Sequence, residues 1–216
     1  MKELEFIYKR YSVRKFKDTP ILEKHIKEII KAATYAPSGK NTQNWHFVVI
    51  TCKNKINEIA NIIHEKNATL GKLLPPEKQA VFSKGQLHHT FFKNNAPALV
   101  LAYAGPYSNN TAVFEGVEGL TKEEFVLYKK PHSGIQNLGA AFENLLLAAA
   151  NLGYGTCWMA GPTYAYKEIS DYIDFENKTS KKDFYMVAIT PLGIPLDDKN
   201  TTPPRKPLEE VLTIIE

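Results

Sequence analysis

The fold of this chain is decided by one stretch, Ala36-Pro37-Ser38-Gly39-Lys40-Asn41-Thr42-Gln43-Asn44-Trp45-His46-Phe47. Proline, serine, glycine and asparagine each favour turns, whereas the aromatic and β-branched residues that follow favour strands. The stretch therefore predicts a loop that leads directly into a strand over residues 45–51. It fits an ordinary connector, and it also fits a loop that binds a flat polar ligand. Gly39 permits close backbone approach, and the amides of Asn41 and Gln43 offer donors and acceptors.

A basic segment lies upstream of this loop, Arg10-Tyr11-Ser12-Val13-Arg14-Lys15-Phe16. In an extended chain alternate side chains point the same way, so Arg10, Ser12 and Arg14 could converge on one phosphate group. Guanidinium groups match phosphate oxygens with paired hydrogen bonds. The alternative is a solvated basic run, which a chain of this composition readily produces by chance.

Hydrophobic periodicity predicts helices and strands along the rest of the chain. Helices are predicted over residues 3–9, from Thr19-Pro20 to about Tyr35, over 56–66 and over 135–151. Strands are predicted over residues 45–51, 98–103, 156–160 and 184–191, with a further strand signal at 208–215. The run at 98–103 is apolar on both faces, which is typical of a central strand. Helical pieces and a mobile excursion are expected over residues 67–95, and 105–130 is a second possible excursion or lid.

Two of these elements point to a partner subunit. The helix over residues 135–151 is apolar nearly all the way round, so it belongs in the interior or at a large subunit interface. Gly153 is a natural stop for it. The strand signal in the tail arrives after every other element, and a late extension of this kind often reaches across to a partner.

The composition predicts a single domain over residues 1–216 with a sizeable core. Hydrophobic residues make up 44% of the chain, the mean hydropathy is −0.30, and no stretch approaches the ~18–20 apolar residues of a membrane helix. No apolar signal core follows the first residues, so a cytoplasmic protein is expected. The net charge of +4 is scattered, which argues against binding to nucleic acid. Cys52 and Cys157 are predicted to be reduced core residues.

Two further segments carry candidate site residues. After the apolar helix comes Gly153-Tyr154-Gly155-Thr156-Cys157-Trp158-Met159-Ala160-Gly161-Pro162, which fits a helix cap and a core strand. It also places the small residues Ala160 and Gly161 at a strand end, where a backbone N–H could reach a ligand. Near the C-terminus comes Pro203-Pro204-Arg205-Lys206-Pro207, which fits a rigid solvated linker or a second cationic contribution to a phosphate site.

The order of these segments resembles the nitroreductase family of FMN-dependent, NAD(P)H-using oxidoreductases, over positions 10–207. The resemblance implies an α+β fold, with a central, mostly antiparallel sheet surrounded by helices, in an intertwined homodimer with FMN at the interface. It also implies a ping-pong reaction, in which NADH or NADPH gives a hydride to flavin N5 and leaves. An electron-poor acceptor, such as a nitroaromatic or a quinone, then takes the electrons.

The resemblance also implies which residues hold the cofactor. The residues implied at the phosphate and ribityl chain are Arg10, Tyr11, Ser12, Arg14 and Arg205; those in the loop that meets the flavin from the other subunit are Pro37, Ser38, Gly39 and Asn41; those beside the flavin ring are Ala160 and Gly161. Gln43 is a further cofactor-binding candidate because of its amide group. Gln136 or Asn137 is expected near the pyrimidine edge. Asn44 stands where the family usually has proline, which predicts a looser loop. No catalytic side chain is implied, because the flavin carries the chemistry.

Other readings of the chain stay open at this point. One is specialised flavin chemistry on the same fold, such as flavin fragmentation or reductive dehalogenation. A second is a non-catalytic flavin-binding or redox-sensing protein, and a third is an unrelated basic domain with an anionic partner. The histidines lack paired-ligand spacing, which argues against a metal site, and neither a Gly-x-Ser-x-Gly elbow nor a Gly-x-Gly-x-x-Gly fingerprint occurs.

Overall fold

The computed structural model describes residues 4–107, 117–119, 121–123, 132–197 and 203–215, with the backbone alone at residues 86 and 87. Its helices are α1 (Glu5–Lys9), α2 (Glu23–Thr34), α3 (Lys53–Lys72), α4 (Pro76–Gln86), α5 (Ser133–Asn151), α6 (Tyr166–Ile173) and α7 (Phe175–Thr179). Its strands are β1 (Trp45–Ile50), β2 (Ala98–Ala104), β3 (Gly155–Thr156) and β4 (Tyr185–Gly193). Single 3₁₀ turns lie at Gly39–Asn41, Leu87–His89, Gly161–Ala165 and Leu208–Glu210.

The strands form one antiparallel sheet in the order β1-β2-β4-β3. β1 pairs with β2 from Trp45 opposite Ala104 to Ile50 opposite Leu99. β2 also pairs with β4, and β4 pairs with β3. The run at 98–103 is therefore the central strand that its sequence predicts, and β1 is an edge strand among the described residues.

The sheet is covered by helices on both faces. β2 is buried along its whole length, and its side chains alternate between two hydrophobic clusters. Leu99, Leu101 and Tyr103 belong to the cluster that includes residues of α3 and α6. Val100 and Ala102 belong to the cluster that includes residues of α2 and α5. The predicted α+β architecture, a central antiparallel sheet surrounded by helices, is thus confirmed.

Helix α5 matches its prediction closely. Its buried side includes Leu138, Phe142 and Leu145, whereas Leu147 on another side is only half-buried. The helix ends as expected, because Gly153 has a φ of +81° and follows the last turn. The predicted apolar surface on all sides is therefore only partly covered within one chain.

Three helix boundaries differ from the prediction. α2 begins at Glu23 rather than at Thr19-Pro20, because Leu22 is still extended, with φ −66° and ψ 130°. α3 extends from Lys53 to Lys72, beyond the predicted 56–66. Its buried stripe continues after Ile63 with Asn67, a polar residue that interrupts the hydrophobic pattern in the sequence.

Helical pieces between residues 67 and 95 are confirmed by the end of α3, by α4 and by the turn at Leu87–His89. Their mobility stays a prediction. The segment expected to form a loop or lid over 105–130 falls in large part outside the described residues, at 108–116, 120 and 124–130. Among the described residues, no helix is both long enough and apolar enough to cross a bilayer.

Three predictions about single elements are wrong. The tail forms a 3₁₀ turn at Leu208–Glu210 and no strand over its described residues, because a strand needs a neighbour to pair with and every described tail residue is exposed. Cys52 is exposed, since it follows an edge strand and precedes α3; Cys157 is buried as expected. The strand predicted at 156–160 is reduced to β3, followed by an isolated bridge between Met159 and Ile189.

Candidate functional site

The basic segment is held in an extended path beside the end of the sheet. The Val13 N–H donates to the Thr156 carbonyl at 2.8 Å, and Ser12 forms a parallel bridge with the same residue. The Lys17 N–H donates to the Ile194 carbonyl at 2.8 Å. Because Val13 is buried while Arg14 is exposed, the segment separates a core face from a cationic face as its alternation predicts.

Asn95 fixes the middle of this segment. Its amide Nδ2 donates to the Arg14 carbonyl at 2.8 Å, and its Oδ1 accepts from the Phe16 N–H at 3.0 Å. The backbone on either side of Lys15 is thus tied to the core by one side chain. Asn95 follows Asn94 in a stretch that reads as an ordinary loop before Ala96-Pro97, so the sequence carries no signal that distinguishes it.

The Cys157 thiol lies beside the basic segment, because Ser12 bridges to the preceding residue, Thr156. Burial raises the pKa of this thiol, and the charge of Arg14, a hydrogen bond with Ser12 and the charge of Arg10 each oppose that rise. The convergence of Arg10, Ser12 and Arg14 on one phosphate stays a prediction.

Arg10 also faces a carboxylate on α5. Its Nε lies 3.7 Å from Glu143 Oε1. Burial raises the pKa of the Glu143 carboxyl, and Arg10 opposes that shift. Tyr11 is half-buried, and together with Arg10, Lys9 and Tyr154 it helps to line a cleft of about 330 Å³.

The loop after Pro37 is a tight turn with an unusual backbone. Lys40, Asn41 and Gln43 have φ values of 55°, 51° and 45°, in the left-handed region that few residues other than glycine adopt. The Asn41 N–H donates to the Ser38 carbonyl at 2.9 Å, and the Gln43 N–H donates to Ser38 Oγ at 3.1 Å. Pro37 is exposed at the start of this turn.

The backbone N–H groups of the loop bond mostly to the protein itself. Besides those of Asn41 and Gln43, the Gly39 N–H donates to Asn137 Oδ1 at 3.0 Å, and the Thr42 N–H donates to the Gly39 carbonyl at 3.2 Å. The loop therefore presents side chains rather than these backbone donors. Gln43 Nε2 donates to Asn41 Oδ1 at 3.1 Å, which brings the two predicted ligand-binding amides together on an exposed surface.

Asn44 ties the loop to the core, so the looser loop expected from the missing proline is not what the structure contains. The side chain of Asn44 is buried, and its Nδ2 donates to the carbonyls of Gly105 at 3.0 Å and Gly134 at 3.2 Å. Its Oδ1 accepts from Asn137 Nδ2 at 2.9 Å. Two buried amides replace the conformational restriction that proline would supply.

Of the two amides expected near the flavin edge, Asn137 is buried in the hydrogen-bond network and Gln136 is exposed at the start of α5. Asn137 is a residue whose role the sequence analysis left undecided. The sequence does carry a signal that Asn137 is buried. Asn137, Ala141 and Leu145 follow one another at intervals of four residues, so Asn137 lies on the same side of α5 as two core residues.

The space beside two predicted site glycines is filled by protein side chains. A Cβ on Gly39 would collide with the Tyr107 hydroxyl, and a Cβ on Gly161 would collide with the His89 ring. These glycines thus admit aromatic neighbours, whatever ligand they also meet. Burial lowers the pKa of His89, helped by the charge of His88.

Ala160 is exposed and begins the 3₁₀ turn at Gly161–Ala165. Its carbonyl accepts from the Thr163 N–H at 3.1 Å and from Thr163 Oγ1 at 2.7 Å. Next to it, Trp158 is 42% exposed and packs edge-on against Phe142, with ring centroids 4.7 Å apart. This strand end presents a small residue and an aromatic ring to solvent.

Arg205 lies on the tail, whose described residues are all exposed. Its neighbour Lys206 pairs with Glu210 at 3.7 Å. The basic segment, the loop and the 160–161 turn are each fixed within one chain, whereas the described tail is exposed.

Comparisons with known proteins agree on one family. The sequence profile of the nitroreductase family matches residues 7–193. A protein of Archaeoglobus fulgidus with the provisional name NADH dehydrogenase/NAD(P)H nitroreductase is 27% identical over 197 residues, 91% of this chain and 87% of the relative. Iodotyrosine deiodinase 1 of Rattus norvegicus is 31% identical over 102 residues, 46% of this chain and 35% of the relative. The crystal structure of a BluB-like flavoprotein from Clostridium difficile 630 has a TM-score of 0.87 and 35% identity, over 100% of both chains.

The contact between β3 and the basic segment predicts the effect of enlarging Gly155. A Cβ at this buried position would lie 2.5–2.8 Å from atoms of the Val13 side chain, so Gly155→Ala should push the segment away from Thr156. We expect a loss of about 1–3 kcal/mol in the free energy of unfolding, measured by urea denaturation.

Gly85→Ala is the matched control, because a Cβ there meets nothing within 4 Å and the residue lies in α4. It should be neutral or stabilise by up to about 1 kcal/mol. A Gly155→Ala protein as stable as the wild type would contradict the tight packing of the segment on β3.

Proposed function

The chain belongs to the nitroreductase family, and we propose that it is an FMN-dependent oxidoreductase that passes electrons from NADH or NADPH to an electron-poor small molecule. Nitroaromatics and quinones are the proposed acceptors. The names of its relatives support the electron donor and the flavin separately, since one is named for NAD(P)H and another is a flavoprotein of the same length.

The observation that carries the proposal is the basic segment itself, whose backbone is fixed in an extended path beside β3 by the hydrogen bonds of Val13 and Asn95 while Arg14 stays exposed. An FMN phosphate carries close to two negative charges, and such a group needs charged donors grouped at one point. Among the described residues, Glu143 is the acidic partner of the segment's arginines, and it meets only Arg10, at the long distance of 3.7 Å. The basic segment thus keeps positive charge available to an anion.

The neutral polar groups of the site fit the remainder of the cofactor. Asn41 and Gln43 present amide groups from a loop whose backbone is already fixed. Ala160 and Gly161 would lie beside the ring, where a small side chain leaves the backbone accessible. In this proposal the loop with Pro37, Ser38 and Gly39 serves the site of the partner subunit.

Bound FMN would supply the hydride chemistry, and the protein would supply position and electrostatics. In this proposal no side chain of the basic segment donates or accepts a proton. Water reaches the exposed surface around Ala160 and can supply the protons. Arg10 and Arg14 would bind the phosphate, while Asn41 and Gln43 would orient the polar edge.

An absorption spectrum and a turnover assay test the proposed function. The purified protein, after incubation with FMN and desalting, should show oxidised-flavin bands, and NADH or NADPH should be consumed with a quinone or a nitrofuran. Flavin that is reduced but never passes electrons on would favour a redox sensor. A protein that retains no FMN would refute the proposal and favour a basic domain with another anionic partner.

Removing one guanidinium should weaken cofactor binding. Arg14→Ala deletes a charged hydrogen-bond donor worth roughly 1.5–3 kcal/mol, which corresponds to an increase of about 10- to 150-fold in the FMN dissociation constant. Flavin fluorescence titration of the apoprotein measures this dissociation constant.

Lys15→Ala removes the same charge from the neighbouring exposed residue and is the control. It should change the dissociation constant less than about threefold, as expected for a screened surface charge. Equal losses in both variants would mean that the protein attracts FMN by general charge rather than by a phosphate site.

A homodimer is the second part of the proposal, and the exposed tail supports it. Val211, Leu212, Ile214 and Ile215 are all exposed apolar residues of the terminal segment. The edge strand β1 is bordered by a cleft of about 280 Å³ whose lining includes Val49. An extended apolar segment that joins a free strand edge gains backbone hydrogen bonds as well as burial. We therefore place the tail of one subunit along β1 of the other.

Ile214→Asp should weaken this dimer without unfolding the chain, because Ile214 is 75% exposed. Loss of roughly 1.5–3 kcal/mol of apolar burial, plus the cost of burying a charge, should shift the dimer toward monomer at micromolar concentration. Sedimentation velocity measures the change.

Leu73→Asp is the matched control, since Leu73 is 77% exposed at the end of α3 and lies outside the tail. It should sediment as the wild type does. A wild-type protein that is monomeric while fully loaded with FMN would contradict the interface site.

Reductive dehalogenation is a second candidate function, favoured by the match to iodotyrosine deiodinase 1. In that reaction two electrons and one proton replace a carbon–iodine bond by a carbon–hydrogen bond and release iodide. Anaerobic incubation of the reduced holoprotein with iodotyrosine, followed by measurement of iodide, tests it. Iodide release with no turnover of quinones or nitrofurans would replace the primary proposal.

A further inference from the structure

We propose that Asn44 and Asn137 are positioning residues for the cofactor site, a buried amide pair that fixes the loop of residues 38–43 and thereby sets how tightly FMN is held. This inference rests on the proposed FMN-binding function. It assigns a role to two residues whose side-chain hydrogen bonds go to the loop, to each other and to the carbonyls of Gly105 and Gly134.

Asn137 acts on the loop directly. Its Oδ1 accepts the Gly39 N–H at 3.0 Å, and its Nδ2 donates to Thr42 Oγ1 at 3.3 Å. Thr42 Oγ1 in turn donates to the Gly39 carbonyl at 3.0 Å. One side chain of α5 therefore holds both ends of the turn that contains Lys40 and Asn41.

Asn44 connects the loop to two other segments. Both N–H bonds of its amide are used, one to the Gly105 carbonyl and one to the Gly134 carbonyl. Its own backbone carbonyl accepts from the Gly105 N–H at 2.7 Å. The end of β2, the first turn of α5 and the start of β1 thus meet at a single residue.

The pair is buried and its donors are fully used. Asn44 is 6% exposed and Asn137 is 7% exposed, and each amide donates two hydrogen bonds. A satisfied buried network specifies one geometry, whereas removal of one member leaves the others unpaired at a cost comparable to a lost hydrogen bond or more.

The backbone of the loop explains why such a network is needed. Lys40, Asn41 and Gln43 occupy left-handed conformations, which cost of order 1 kcal/mol or more each for residues other than glycine. These conformations persist only when the surroundings determine them. Without the amide pair, the loop would relax toward ordinary conformations and move Asn41 and Gln43 away from a ligand.

The test compares two substitutions of Asn137 with one of Asn144, which lies on the same helix. Asn137→Leu has similar volume and keeps no hydrogen bond. Asn137→Asp keeps the oxygen that accepts the Gly39 N–H. Asn144→Leu is the control, because the half-buried Asn144 makes only a 3.4 Å bond to the Ala32 carbonyl.

Three readouts are taken on each protein: the FMN dissociation constant of the apoprotein, the hydrogen-exchange rates of the amides of residues 38–43 without FMN, and the urea midpoint. Asn137→Leu should raise the dissociation constant and the loop exchange rates about tenfold. Asn137→Asp should recover part of both losses, and Asn144→Leu should stay within about twofold of the wild type. A merely structural role would lower the urea midpoint without this selective recovery.

Wild-type FMN affinity and loop exchange in Asn137→Leu would overturn the inference, as would equal losses in Asn144→Leu at the same urea midpoint. Should Asn137→Leu fail to fold, Thr42→Val replaces it, because Thr42 is exposed and the change removes only the bonds at Thr42 Oγ1. Thr42→Val should act in the same direction by about threefold, and no change would overturn the inference. A wild type that binds no FMN would refute the proposed function as well, whereas a loaded wild type with an unaffected Asn137→Leu refutes this inference alone.

Discussion

The site depends on the burial of β2 on both faces. Because alternate β2 side chains belong to opposite hydrophobic clusters, a slip of one residue would exchange the two cores, and the register is therefore strongly specified. That register places Trp45 opposite Ala104, so that the next residues outward, Asn44 and Gly105, also face each other. They bond through the backbone at 2.7 Å and through the Asn44 amide at 3.0 Å. The position of the loop thus follows from the packing of the central strand.

The basic segment and the loop of residues 38–43 present different kinds of polar group. At the basic segment, hydrogen bonds from Val13 and Asn95 use the backbone, which leaves the guanidinium groups to form a local concentration of charge. At the loop, the protein uses N–H groups of its own backbone internally, and the amides of Asn41 and Gln43 lie at the surface beside the exposed Lys40. In the proposed function the arginines serve the charged phosphate and the amides serve the neutral ring edge of the same cofactor.

Elements with a strong local pattern could be predicted from the sequence, and those that depend on a long-range partner could not. α5 was predicted because it carries its own apolar pattern and a stop at Gly153, and β2 because its residues form a continuous apolar run. The full length of α3 was not predicted, because Asn67 is polar and the sequence alone gives no indication that it is buried in the folded chain. In the site, residue types identified Arg10, Ser12 and Arg14, but the internal bonding of the loop depends on Asn137, almost a hundred residues away in the chain.

The exposed tail and the proposed cofactor site are linked through Arg205, which the tail carries. In a single chain Ile214 and Ile215 are exposed to water, and Arg205 lies on the same exposed tail. Exposed apolar residues gathered in one segment mark an interaction surface. If a second copy covers that segment, the same movement that buries the isoleucines also orders the chain that carries Arg205. Dimer formation and phosphate binding would then be thermodynamically coupled, because a cofactor that binds only the assembled site stabilises the dimer by mass action. In the proposed dimer the tail completes the site, and the strand signal at 208–215, which is not met within the described residues of one chain, would be met by pairing with the other subunit.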